Sequence, residues 1–358
     1  MKLGFLKKIK GFLITYKRLF LAFVLILIVF LIPLGFYKDL EDKEIPFFSD
    51  RQDSNLDSCE DCVKRKIDGK LVPSENKNPQ LTAIIIDNHP QSRPQSGLSE
   101  AALVYEAEVE GGATRYLAVF TGDEELEKIG PIRSARPYFL DWGEDLSSLF
   151  VHCGGSPATL ANLALSNLVN LDQFYDYQYF WRDNERLAPH NIYTSSKLIN
   201  DFLKSTNQEA DGYLGWNFKS PEPLKKRGEE KTISIPFDSG YQVKWLYDRD
   251  ENEYVRYLDG EIHTDAEGEV VTTHNLILHY LKTKTIDEKL RLELVNRGVG
   301  NAMICRDGEC QEVNWQKENP KERSRYYTPE GEKFLFNPGT TWIEIIEKSK
   351  KEKVKIER

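Results

Sequence analysis

The residues best suited to chemistry gather between positions 87 and 191. Asp87, Asn88 and His89 close the apolar run 81–86, and Arg93 and Gln95 follow in the proline-containing loop 90–97. Glu106, Glu108 and Glu110 alternate with apolar neighbours, which predicts one shared strand face. Arg115 comes after Gly111-Gly112, and Arg133 and Arg136 stand just before a helical pattern. His152 sits on an apolar run, and His190 and Asn191 follow Pro189. Several guanidiniums, with a helix N-terminus expected at Ser156, suit an anionic ligand such as a carboxylate or phosphate. Glu106 or Glu110 could instead serve as general acid or base, with Arg133 or Arg136 stabilising developing negative charge. Asp87 and His152 are candidates for a second acid–base pair. The plainer alternative is that these acids and arginines form structural ion pairs, with His152 a hydrogen-bonded core histidine.

Other chemistries find less support. The chain has no G-x-S-x-G elbow, no Walker A sequence and no HExxH. Ser156 before Pro157 reads as a helix cap, not a nucleophile. His89, His152, His190 and Asp87 are irregularly spaced, so no metal and no cofactor are expected. His263 and Asp265 fall in a turn-like stretch and read as surface residues. His274 and His279 are five apart on one expected strand, so they face opposite sides.

The elements that must position these groups form two patterns. Residues 80–218 mix short buried strands with helices, as in an α/β domain with a mixed sheet; strand ends and glycine turns are where such folds hold ligands. A proline- and charge-rich joint spans 219–231. Residues 232–347 then alternate as short strands separated by turns such as Asp259-Gly260 and Asp307-Gly308, which predicts an all-β sandwich or partly open barrel. The tail 348–358 is basic but interrupted by glutamates and reads as solvated. If Asp307-Gly308 makes a type I′ turn, Cys305 faces Cys310 closely enough for a disulfide. Cys59 and Cys62 could close a small disulfide loop, leaving Cys153 as a buried thiol.

At the N-terminus, the run 19–36 carries no charge and at about 1.5 Å per residue reaches roughly 27 Å, close to a bilayer core. Six cations precede it in residues 1–18, and acidic residues follow it. This predicts a transmembrane anchor with a cytoplasmic N-terminus and everything after Tyr37 outside, 37–79 being a stalk. The net charge of −9 argues against nucleic acid as a ligand.

Longer stretches carry a resemblance. The segments IIIDNHPQSRPQSGLSEAALVYEAEVEGGATRYLAVF, KIGPIRSARPYFLDWGEDLSSLFVHCGGSP and APHNIY resemble the bacterial DUF3048 family. VKWLYDRDENEYVRYLDGEIHTD and FNPGTTWIEII are similar to its second domain, so the resemblance covers about residues 78–347. It implies a two-domain extracytoplasmic envelope protein. Many relatives are lipoproteins, whereas no cysteine here closes the apolar run. The combined expectation is an envelope protein binding an anionic wall-derived or peptide ligand in the α/β cleft, in a regulatory or scaffolding role. The β domain would be free to dock a protein partner. The rival is a cell-wall hydrolase or lyase using carboxylate acid–base chemistry.

Overall fold

The apolar run after Leu81 becomes the strand Thr82–Asp87 (β1), buried along its whole length. Ile84 and Ile86 enter one hydrophobic core and Ala83 and Ile85 another. A strand covered on both faces needs this unbroken apolar composition. The computed structural model describes residues 61–206, 212–237, 241–319 and 321–358. Residues Cys59–Arg358 make one compact unit.

Strands Leu103–Glu108 (β2) and Thr114–Phe120 (β3) pair with each other, and β3 pairs antiparallel with β1. Helix Pro137–Asp145 (α1) leads to Leu149–His152 (β4), which lies parallel to β1. Helix Pro157–Leu165 (α2) follows, capped by Ser156 Oγ accepting from Thr159 N–H, and then Asn170–Asp172 (β5). Helix Ser196–Thr206 (α3) ends this part.

Thr232–Pro236 (β6), Gln242–Asp248 (β7) and Glu253–Leu258 (β8) are the longest strands of a six-stranded second sheet. The next five rejoin the first: Asn275–Thr285 (β9), Gly298–Arg306 (β10), Glu309–Lys317 (β11), Arg325–Tyr327 (β12) and Thr341–Glu347 (β13). The eleven-stranded sheet runs β12-β11-β10-β9-β13-β2-β3-β1-β4-β5, with Leu292–Val295 beside β9. Its seam is the parallel pair β13–β2, where Glu344 stands opposite Glu106.

Three layers result. The second sheet covers one face of the large sheet, where Trp245 of β7 meets Trp342 of β13 edge-on at 5.3 Å. Helix α1 covers the other face, stacking Trp142 on Tyr105 at 4.8 Å. Burial alternates along β8, so Tyr254, Arg256 and Leu258 all point inward.

The chain is thus a mixed α/β part followed by a largely β part, with three corrections. The later strands do not close into a sandwich or barrel of their own, because six of them, Leu292–Val295 included, complete the sheet begun at Thr82. Ordered structure starts before residue 80: Arg65, Ile67 and Asp68 are buried. The tail is not simply solvated, since Lys355–Glu357 (β14) pairs with β6 and Lys350 is buried against Glu108. Cys305 and Cys310 are joined in a disulfide across the Asp307-Gly308 turn, and Cys62 is also disulfide-bonded. Cys59 and the run 19–36 lie outside the described residues.

Candidate functional site

Glu106, a predicted acid catalyst, is fully buried at the seam of the large sheet. Its Oε2 accepts from Arg256 Nη2 at 2.7 Å, both side chains being wholly inaccessible. Its Oε1 accepts from Thr114 Oγ1 at 2.7 Å and Asn88 Nδ2 at 3.1 Å. Arg256 also donates to His263 Nδ1 at 2.8 Å, so the other ring nitrogen carries the hydrogen and donates to Gln95 Oε1 at 3.0 Å. Gln95 Nε2 in turn donates to the Asp87 carbonyl and to Asn88 Oδ1. Burial, then the Arg256 charge, holds His263 well below its usual range and keeps it neutral. Burial and the adjacent Glu106 push Glu344 well above the carboxylate range, so it holds a proton. Trp245 Nε1 donates to it at 2.8 Å. One guanidinium, one carboxylate and one neutral acid leave this network without net charge, as burial demands. It bonds the second sheet to the first, and Glu106, Arg256 and Glu344 are all fully buried.

The other predicted residues meet nearer the surface, beyond the end of β1. Asp87 Oδ2 contacts His190 Nδ1 at 2.6 Å and lies 3.0 Å from Arg133 Nε. His190 stacks on His89 at 4.7 Å. Arg115 Nη1 donates to the Ser134 carbonyl at 2.5 Å, and Arg136 Nη1 reaches the same oxygen at 3.4 Å. Arg136 also grips both oxygens of Glu110, at 2.6 and 2.5 Å. Burial, then the nearby Arg136 and Arg133, lowers Arg115 to about 10. Although burial opposes it, the Arg136 fork holds Glu110 below the usual carboxylate range. Three arginines therefore face two carboxylates here, and both carboxylates already have partners.

Other predicted members serve elsewhere. Glu106, Glu108 and Glu110 do not line one site: they go separately to Arg256, Lys350 and Arg136. His152 does not meet Asp87; its Nδ1 donates to the Gly154 carbonyl at 2.9 Å, in the fully buried end of β4. Ser156 spends its hydroxyl on the α2 cap. Asn191 braces its own loop through Arg182 and the carbonyls of Asp183 and Arg186. Arg93 leaves the cluster for Asn88, Asp259 and the Tyr241 ring. His263 and Asp265 are buried, not on the surface, Asp265 accepting from Ser99. Arg256 and Glu344 escape a reading by motif. Their signal is a charged residue at a core-facing place of an apolar strand.

Models of one family match two stretches of the chain. Residues 69–210 match the DUF3048 N-terminal domain and residues 233–343 its C-terminal domain, both described as protein of unknown function. The chain is 33% identical over 297 residues to the protein named "Putative lipoprotein YerB" of Bacillus subtilis, covering 79% of this chain and 86% of that one. It is also similar to the crystal structure of YerB, with TM-score 0.74 and 28% identity over 83% of this chain and all of that one. These findings correct the expected topology. A single-pass membrane protein with a cytoplasmic N-terminus disagrees with a relative named "Putative lipoprotein YerB". Among the described residues no helix is long and apolar enough to cross a membrane.

Proposed function

The chain belongs to the DUF3048 family, and on that premise we propose that it is an envelope-associated extracytoplasmic binding protein for an anionic ligand. The ligand's carboxylate or phosphate sits against Arg115, Arg133 and Arg136, with His190 beside them. The observation that carries the reading is the convergence of Arg115 and Arg136 on the Ser134 carbonyl, with Arg133 close enough to depress Arg115. Three like charges this close repel one another, and an oxyanion relieves that repulsion. The compartment is supported by the lipoprotein name of the relative and by the Cys305–Cys310 disulfide, which persists in oxidising surroundings.

The rival hydrolase or lyase reading is less favoured. Glu106 is sealed in the core against Arg256, out of reach of a substrate, and Glu110 is held ionised by Arg136, so it has no proton to give. Incubation of the purified chain with purified peptidoglycan separates the two. Retention on the polymer without release of soluble fragments, reduced in Arg133→Gln, is the expected result. Fragment release that disappears in Glu110→Gln overturns pure binding.

A further inference from the structure

Far along the chain, Arg323 is 2% exposed, yet among the described residues no carboxylate is paired with it, and the polar side chain beside its guanidinium is the Tyr105 phenol. Three other deeply buried cations are matched by carboxylates. Arg65 holds Asp68 at 2.6 Å, Arg256 holds Glu106 at 2.7 Å and Lys317 holds Asp145 at 2.6 Å. Asp145 is the buried carboxylate within the reach of Arg323's field, but Lys317 already takes both its oxygens. The Tyr105 phenol is within hydrogen-bonding reach of the guanidinium, but burial pushes it up to about 12, so it is neutral and balances no charge. Two buried cations therefore share one carboxylate.

The Arg323 guanidinium lies 3.6 Å from the centre of the Trp216 ring. Stacking offsets only part of the desolvation of a guanidinium that has no counter-charge. Trp216 is itself held in place: its Nε1 donates to the Ser324 carbonyl at 3.0 Å and its ring stacks on Phe336. Arg323 and Trp216 both line a pocket of about 200 Å³, together with Arg325, Tyr326, Lys333 and Phe334. No carboxylate lines it. Arg325 is paired with Glu322 at 2.9 Å outside the lining, and the Lys333 side of the rim is exposed.

We propose that this pocket binds the oxyanion of a small molecule, a carboxylate or a phosphate, on Arg323, with Trp216 and Tyr326 as aromatic walls and Lys333 at the rim. A guanidinium offers parallel N–H donors that match either oxyanion. The site is separate from the Arg115, Arg133 and Arg136 cluster and does not depend on what that cluster binds.

The test titrates the purified chain with inorganic phosphate and, separately, with acetate, at ionic strength held constant with chloride, while following tryptophan fluorescence and heat. Saturable binding of at least one anion is expected, and which one responds separates the phosphate source from the carboxylate source. Arg323→Met weakens it roughly tenfold or more, the loss of a charge-assisted hydrogen bond. Lys333→Gln, at an exposed position that leaves folding intact, weakens it several-fold and decides the matter if Arg323→Met does not fold. These titrations are made in the Arg133→Gln background, which disables the other anion cluster, so that the response reports this pocket. In that background, no saturable response to either anion, or a response that survives both Arg323→Met and Lys333→Gln, overturns the proposal.

Discussion

Arg256 and Glu106 stand 150 positions apart in sequence and meet at 2.7 Å with neither side chain exposed to solvent. Removing one partner of such a pair strands the other charge in the core. Arg256→Met therefore costs about 3–5 kcal/mol of unfolding free energy, measured by denaturant titration. The double substitution Arg256→Met with Glu106→Gln recovers part of that loss, because no unpaired ion remains. A single-variant cost below 1 kcal/mol sinks the view that this pair ties the two sheets together.

Glu110 competes with any ligand for Arg136. Glu110→Gln removes that competitor and strengthens retention on peptidoglycan several-fold, with little change in thermal stability because the pair is partly solvated. Weaker retention in this variant counts against the arginine cluster as the binding surface.

His279 is buried against Tyr326, its Nδ1 2.9 Å from the phenol oxygen, and burial lowers it to about 3. Its folded value lies below the unfolded one, so as pH falls from about 6.5 toward 3 the unfolded chain takes up a proton that the fold refuses. Relative to His279→Gln, the natural chain loses up to about 1.4 kcal/mol of stability per pH unit in that window. Parallel melting curves at pH 4, 5 and 6 check this, and identical pH slopes for the two proteins refute it.

The Cys305–Cys310 disulfide closes a loop of only four intervening residues. A loop this short constrains the unfolded chain modestly, so Cys305→Ala with Cys310→Ala costs about 2 kcal/mol and leaves the fold intact. Loss of cooperative unfolding in the double variant shows that the bond does more than restrict the unfolded chain.

The amino-acid sequence by itself determined the local elements and their order. The unbroken apolar run before Asp87, the serine and proline opening α2, and the alternation in 253–258 each depend on neighbours a few residues away. The long motifs of the family were legible for the same reason. Alternation alone put Arg256 in phase with Tyr254 and Leu258, so it marked a charge directed inward. It held no information about what the charge would meet. Glu106 became its partner only because β13 docks beside β2 and the second sheet folds over that seam, bringing together residues from three distant segments. The candidate site divided for the same reason. Strand alternation grouped Glu106, Glu108 and Glu110 on one line, whereas the tertiary structure sent each to a different cation. A hydrogen-bonded ion pair needs its charges within about 4 Å, and which charges come that close was set by sheet topology, with spacing along the chain playing no part.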